Sequence, residues 1–89
     1  MPEEFKKAKP HNFDEEMKKS KYVEAWLLRM KKLFRLYDYS ENMKAKIATF
    51  SLKGKAYIWW EDVKHVRGIR EEDPTWDEFV RLFKKKYLS

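Results

Sequence analysis

The sequence predicts an all-α fold, a compact bundle of four main helices at about 21–38, 41–53, 55–67 and 76–88, preceded by an extended N-terminal arm over 1–19. Three observations carry this reading. Apolar residues recur at spacings of 3 and 4 through most of 20–89, the period of a helix with one buried face. Two glycines and three prolines in 89 residues are too few turn formers for a protein of many short strands. Aromatic residues make up 17% of the chain. A domain this small buries only about 60–65% of its extended surface, so it needs such large side chains to fill a core.

The arm comes first. Residues 1–19 hold no sustained period: Pro10, His11 and Asn12 interrupt any helix, and Phe5 and Phe13 stand isolated among charges. Phe13 is expected to dock on the helical domain, 20–89. From Ser20, an acceptable N-cap, the pattern changes. Tyr22, Val23, Trp26, Leu27, Met30, Leu33, Phe34 and Tyr37 form one wide stripe, with Arg29, Lys31, Lys32 and Arg35 on the other face. "DYSEN" ends this first helix. Ser40 caps the second, and Glu41 is well placed beside its N-terminal dipole. Met43, Ile47, Phe50 and Gly54 then repeat at helical spacing with Ala48 and Leu52 beside them. Gly54 is expected to supply the left-handed stop of that helix.

The third helix carries "AYIWWEDV". Ala56, Trp59, Trp60 and Val63 fall on one broad face, and the small Ala56 lets a neighbouring helix approach. A base-stacking platform is framed by Lys and Arg, whereas Trp59 and Trp60 are followed by Glu61 and Asp62. Both indoles are therefore read as core. After the polar loop "RGIREEDP", Thr75 and Glu78 stand at capping-box spacing. Trp76, Phe79, Val80, Phe83 and Tyr87 mark the buried stripe of the last helix. Trp26 and Trp76 occupy equivalent stripes, so all four indoles are expected to meet in one cluster.

Composition narrows the function. With no Cys there is no disulfide, zinc knuckle or thiol nucleophile within these residues. The two histidines, His11 and His65, lack partners at metal-ligand spacing, and the carboxylates lie in runs beside Lys and Arg as solvated charge. The two glycines stand too far apart for a phosphate loop. The expected protein is not an enzyme and has no cofactor or metal. No apolar run approaches the roughly 18 residues of a membrane span, and the N-terminus has no signal-peptide stretch, so a soluble cytoplasmic protein is expected. The net charge of +6 favours anionic partners. Lys84, Lys85 and Lys86 spread over about 200° of a helix. They complement its C-terminal dipole and are the candidates for RNA contact. Large apolar residues off the main stripes, namely Leu28, Leu36 and Tyr39, with Phe50, Tyr57 and Ile58, are candidates for an association surface.

Read in order, "FD" at 13–14, "AWLLRMKKLFR" at 25–35, "LKGKAYIWW" at 52–60 and "TWDEFVRLFKKKYLS" at 75–89 resemble the gag domain of gypsy-type long-terminal-repeat retrotransposons, especially those of plant genomes. That family's signature is a WL pair, an L-x-G-x-A-x-x-WW core, and W-x-x-F followed by a basic segment and Tyr. Here these fall on Trp26 and Leu27, on Leu52, Gly54, Ala56, Trp59 and Trp60, and on Trp76, Phe79 and Tyr87. The resemblance runs from Phe13 to Ser89, with Glu15 standing where the family often has glycine. It implies the N-terminal lobe of a capsid protein, built like the N-terminal half of retroviral capsids and the matching lobe of neuronal Arc. Such a lobe associates with copies of itself into a virus-like particle around RNA. A second capsid lobe and an RNA-binding zinc knuckle are expected beyond Ser89. The alternative that the resemblance leaves open is a domesticated module that captures a short peptide of a partner protein.

Overall fold

The computed structural model describes residues 12–14, 19–70 and 72–88. Four helices follow in order: α1 (Ser20–Leu36), α2 (Glu41–Phe50), α3 (Gly54–Arg67) and α4 (Trp76–Tyr87). The all-α class holds among the described residues, whose one extended pairing is an isolated parallel bridge between Phe13 and Leu52. Of the arm, only 12–14 and Lys19 are described, so its extended course and the turn at Glu15 lie outside the described residues.

Two caps are as expected. The Ser40 hydroxyl accepts from the Met43 amide at 3.2 Å, and the Thr75 hydroxyl accepts from the Glu78 amide at 3.2 Å. Each satisfies one of the amides a helix start leaves without an intrahelical partner. Ser20 is not a cap. Lys19 holds that position without a side-chain bond, and Ser20 is already the first helical residue.

The end of α2 departs further from expectation. It stops at Phe50, three residues early, and its C-cap Ser51 is right-handed (φ −83°). The buried Ser51 hydroxyl donates back to Ile47 O at 2.8 Å. The chain then straightens because Phe13 competes for its backbone. The Phe13 amide donates to Ser51 O at 2.8 Å, and the Lys53 amide donates to Phe13 O at 2.7 Å. Gly54 does adopt a positive φ, +55°, but it opens α3 rather than closing α2. A β-carbon there would meet nothing within 4 Å, so the demand for glycine is conformational. Gly68 (φ +64°) is the left-handed stop, at the end of α3. Its amide reaches His65 O at 3.3 Å while the Ile69 amide reaches Lys64 O at 2.9 Å, the paired bonds of a Schellman ending.

The core is aromatic and centred on α4. Phe79 is fully buried and has ring centroids of Trp60 at 5.2 Å, Trp76 at 5.9 Å and Trp26 at 6.2 Å around it. Trp59 touches Trp60 at 5.8 Å and Phe83 at 6.1 Å. The four indoles do share one cluster, joined through Phe79 and Phe83, and Trp59 and Trp60 also meet directly. Edge-on and offset ring pairs of this kind contribute about 0.5–1.5 kcal/mol each beyond their buried area. Trp26 lies against Phe83 and Phe34 against Trp76, so α1 and α4 run antiparallel. Phe13 completes the cluster, with no exposed surface and with Phe83, Tyr87 and Trp26 at 5.0–5.4 Å. The stripes are less uniformly buried than their spacing implies: Phe50, Tyr22 and Tyr37 are 49%, 43% and 39% exposed.

Candidate functional site

The signature residues are almost all interior. Trp26, Leu27, Leu52, Ala56, Trp60, Trp76 and Phe79 are buried, and Trp59 and Tyr87 are half-buried against the same cluster. Gly54 alone is exposed, at the turn its φ explains. The motif thus specifies the core and the α2–α3 connection. Function must reside on what these residues hold up.

Outside the core, α1 turns Leu28 (54% exposed) and Leu36 (78% exposed) to solvent. Tyr39, grouped with them on sequence grounds, is instead half-buried, edge-on to Phe34 at 6.2 Å and beside Tyr37 at 5.7 Å. Leu28 borders a groove of about 360 Å³ between α1 and α4. Its apolar walls are Leu27 and Leu28 on one side and Val80 and Leu88 on the other, and Glu24, Lys31 and Lys84 stand along it. Lys84 therefore belongs to the groove, while Lys85 and Lys86 are exposed on the last turn of α4. Phe50 and Tyr57 line a second, smaller cleft of about 250 Å³ with Trp60, Glu61 and Lys64, where Lys64 pairs with Glu61 at 2.8 Å.

Two sets of hydrogen bonds hold the described residues of the α3–α4 connection. The Asn42 side-chain amide donates to Glu72 O at 2.9 Å and Pro74 O at 3.1 Å, tying the loop to α2. The Asp73 carboxylate accepts from the Arg70 amide at 3.2 Å and from its guanidinium at 3.4 Å. Val66, on the last turn of α3, is 81% exposed.

Sequence reading missed Val66, the groove and the role of Asn42. A lone valine among His and Arg carries no periodic signal, and a groove exists only once two helices cross. Among the described residues no three His, Cys, Asp or Glu converge as metal ligands, and no helix is long and apolar enough to cross a membrane. His65 is exposed, and His11 lies outside the described residues. What the surface offers is apolar and charged contact area.

One family matches the sequence, described as the N-terminal capsid-like domain of the retrotransposon-derived protein PEG10, and it covers residues 7–88. No curated protein and no solved structure matches. The match agrees with the gag resemblance of the signature residues and does not distinguish a gypsy-type or plant-like subtype.

Proposed function

The chain belongs to this family of retrotransposon-derived, capsid-like N-terminal domains, and from that premise we propose that it is a structural gag module whose partner is another copy of itself, building a particle around RNA. Such a role is non-catalytic and needs no cofactor. The observation that carries it is the two-sided character of α1. One face of that helix is sealed into the core through Val23, Trp26, Leu27, Met30 and Phe34, while Leu28 and Leu36 are presented to solvent. Isolated apolar residues are ordinary on a small domain, but Leu28 beside an apolar groove, with Leu36 further along the same helix, has the character of an association site. Leu28 and Leu36 carry the proposed contact, and Tyr39 supports its edge. The net charge of +6 suits an RNA-filled interior, to which Lys84, Lys85 and Lys86 add sequence-independent attraction.

Shells assemble through many weak contacts. Light scattering over a concentration series should therefore find the 89-residue chain monomeric at micromolar concentration, with mass rising only at much higher concentration. Leu28→Asp with Leu36→Asp should leave helical circular dichroism and melting unchanged yet abolish particle formation by the protein in its natural length. Normal particles from that variant would refute the assignment. A second reading, a gag-derived module that holds a short peptide of a partner protein, draws on the α1–α4 groove. It would be preferred if particles never form while the Leu28 variant loses a partner.

A further inference from the structure

α1 and α3 carry the same pattern on their outer faces. On α1, Trp26, Met30 and Phe34 are buried, while Leu28, Lys32 and Leu36, two residues beyond each, are exposed. Two residues turn a helix by about 200°, so these three side chains form a line opposite the core. On α3, Ala56 and Trp60 are buried, and Ile58, Asp62 and Val66 form the corresponding exposed line. Each line is apolar at both ends and charged at its midpoint. The ends are eight residues apart on both helices, a rise of about 12 Å. The two midpoint charges are opposite. Among the described residues neither Lys32 nor Asp62 has an ionic partner, whereas Lys64 and Glu61 pair with each other at 2.8 Å. Both helices turn their inner faces to Phe79 and Phe83 of α4 through Trp26, Trp59 and Trp60. All six side chains of the two lines are exposed, so the lines do not pair within one chain.

We propose that the outer line of α1 on one copy of this chain packs along the outer line of α3 on a second copy, with Leu28 and Leu36 against Ile58 and Val66, and Lys32 facing Asp62. This rests on the self-association reading above and names the surface that receives Leu28 and Leu36. Exposed apolar residues taken singly are ordinary. The equal rise on both helices is what lets two apolar contacts and one ion pair form together. Either direction of the helices fits, because each line is symmetric about its charge. Pairing α1 with another α1 suits the residues less well: it sets Lys32 beside Lys32, with Arg29 and Arg35 adding like charge. Since two different surfaces meet, a copy engaged through one line still offers the other, and the contact can extend into rings or open strings. The contact is weak. One helix pair buries less than a stable interface requires, and exposed basic side chains flank both lines, Arg29 and Arg35 on α1 and Lys55 and His65 on α3. A shell held by many such contacts needs each to be weak.

The test is sedimentation equilibrium of the 89-residue protein up to millimolar concentration at physiological ionic strength, with K32E, D62K and the double reversal K32E/D62K. Both positions are exposed, and unchanged circular dichroism verifies that each variant folds. A single reversal sets like charges across the contact and should weaken self-association at least about tenfold. The double reversal should recover most of that loss, because the pair meets again with its signs exchanged. An equimolar mixture of L28D/L36D with I58D/V66D should give a two-copy complex and nothing larger, since each variant keeps one intact line. Parent-like association by either single reversal, a double reversal as weak as the singles, or larger species from the mixture overturns the α1–α3 pairing and leaves self-association standing. A parent protein whose mass never rises with concentration overturns self-association itself, and the pairing with it. A K32E protein that loses an RNA oligonucleotide yet associates like the parent assigns the outer face of α1 to nucleic acid and overturns the proposal.

Discussion

Replacing Phe13 by alanine tests whether a residue outside the four helices belongs to the core. The ring is fully buried and packs on Trp26, Phe83 and Tyr87 at 5.0–5.4 Å. A buried Phe→Ala change typically costs about 3–5 kcal/mol through lost transfer energy and the cavity left behind. Undocking of the shortened arm gives some of this back, since each residue released regains about 1–2 kcal/mol of backbone entropy. That escape is limited, because it breaks the two backbone bonds to Ser51 and Lys53 and exposes the three facing rings. A net loss of about 2–4 kcal/mol is therefore expected. It is a large share of the roughly 4–13 kcal/mol that a chain of this length possesses. At about 4–8 °C per kcal/mol, thermal melting followed by circular dichroism should fall by some 10–30 °C. Phe13→Leu, which keeps most of the volume, should recover more than half of that. A Phe13→Ala protein melting within about 3 °C of the parent would show that the arm is not part of the fold.

Trp60→Ala should destabilise by about 3–5 kcal/mol, and Trp59→Ala by less, since Trp60 is 2% exposed and Trp59 only half-buried; unchanged melting of both variants would overturn the core assignment. Gly54→Ala should cost about 1–2 kcal/mol from the left-handed backbone alone, with Gly54→Asn milder, and equal melting of parent and alanine variant would refute the conformational account. Ser40→Ala and Thr75→Ala should each lower stability by about 1 kcal/mol in denaturant titrations, whereas Ser20→Ala, at a position that caps nothing, should leave the midpoint where it was.

The helices were legible wherever local physics decides them. The 3.6-residue stripe of α1 and the hydroxyls of Ser40 and Thr75 place their elements within a residue or two because each acts on its own turn. Leu52 shows where this fails. Its spacing continues the α2 stripe, and only pairing with Phe13, 39 positions earlier, draws it out of the helix. Gly54 shows a subtler form: the sequence announces a positive φ but not which of two abutting helices needs it. Tyr39 looked like surface until Phe34 and Tyr37 closed round it. The groove required α1 and α4 to be placed side by side, with Leu28, Val80 and Leu88 arriving from distant segments.

The central position of Phe79 and Phe83 bears on how the chain is made. Trp26 of α1 and Trp59 and Trp60 of α3 all bury themselves against these two rings, yet α4 is the last of the four helices to leave a ribosome that works from the N-terminus. Until then α1, α2 and α3 have amphipathic faces and no shared surface to close on, so a nascent chain ending at Thr75 has no complete core to fold. Folding must await release of nearly the whole domain, and for that interval three of its four tryptophans, with Phe13 and Phe34, are open to holdase chaperones or to neighbouring chains on the same messenger. Translation speed through the codons of 76–88 would then set how long that exposure lasts.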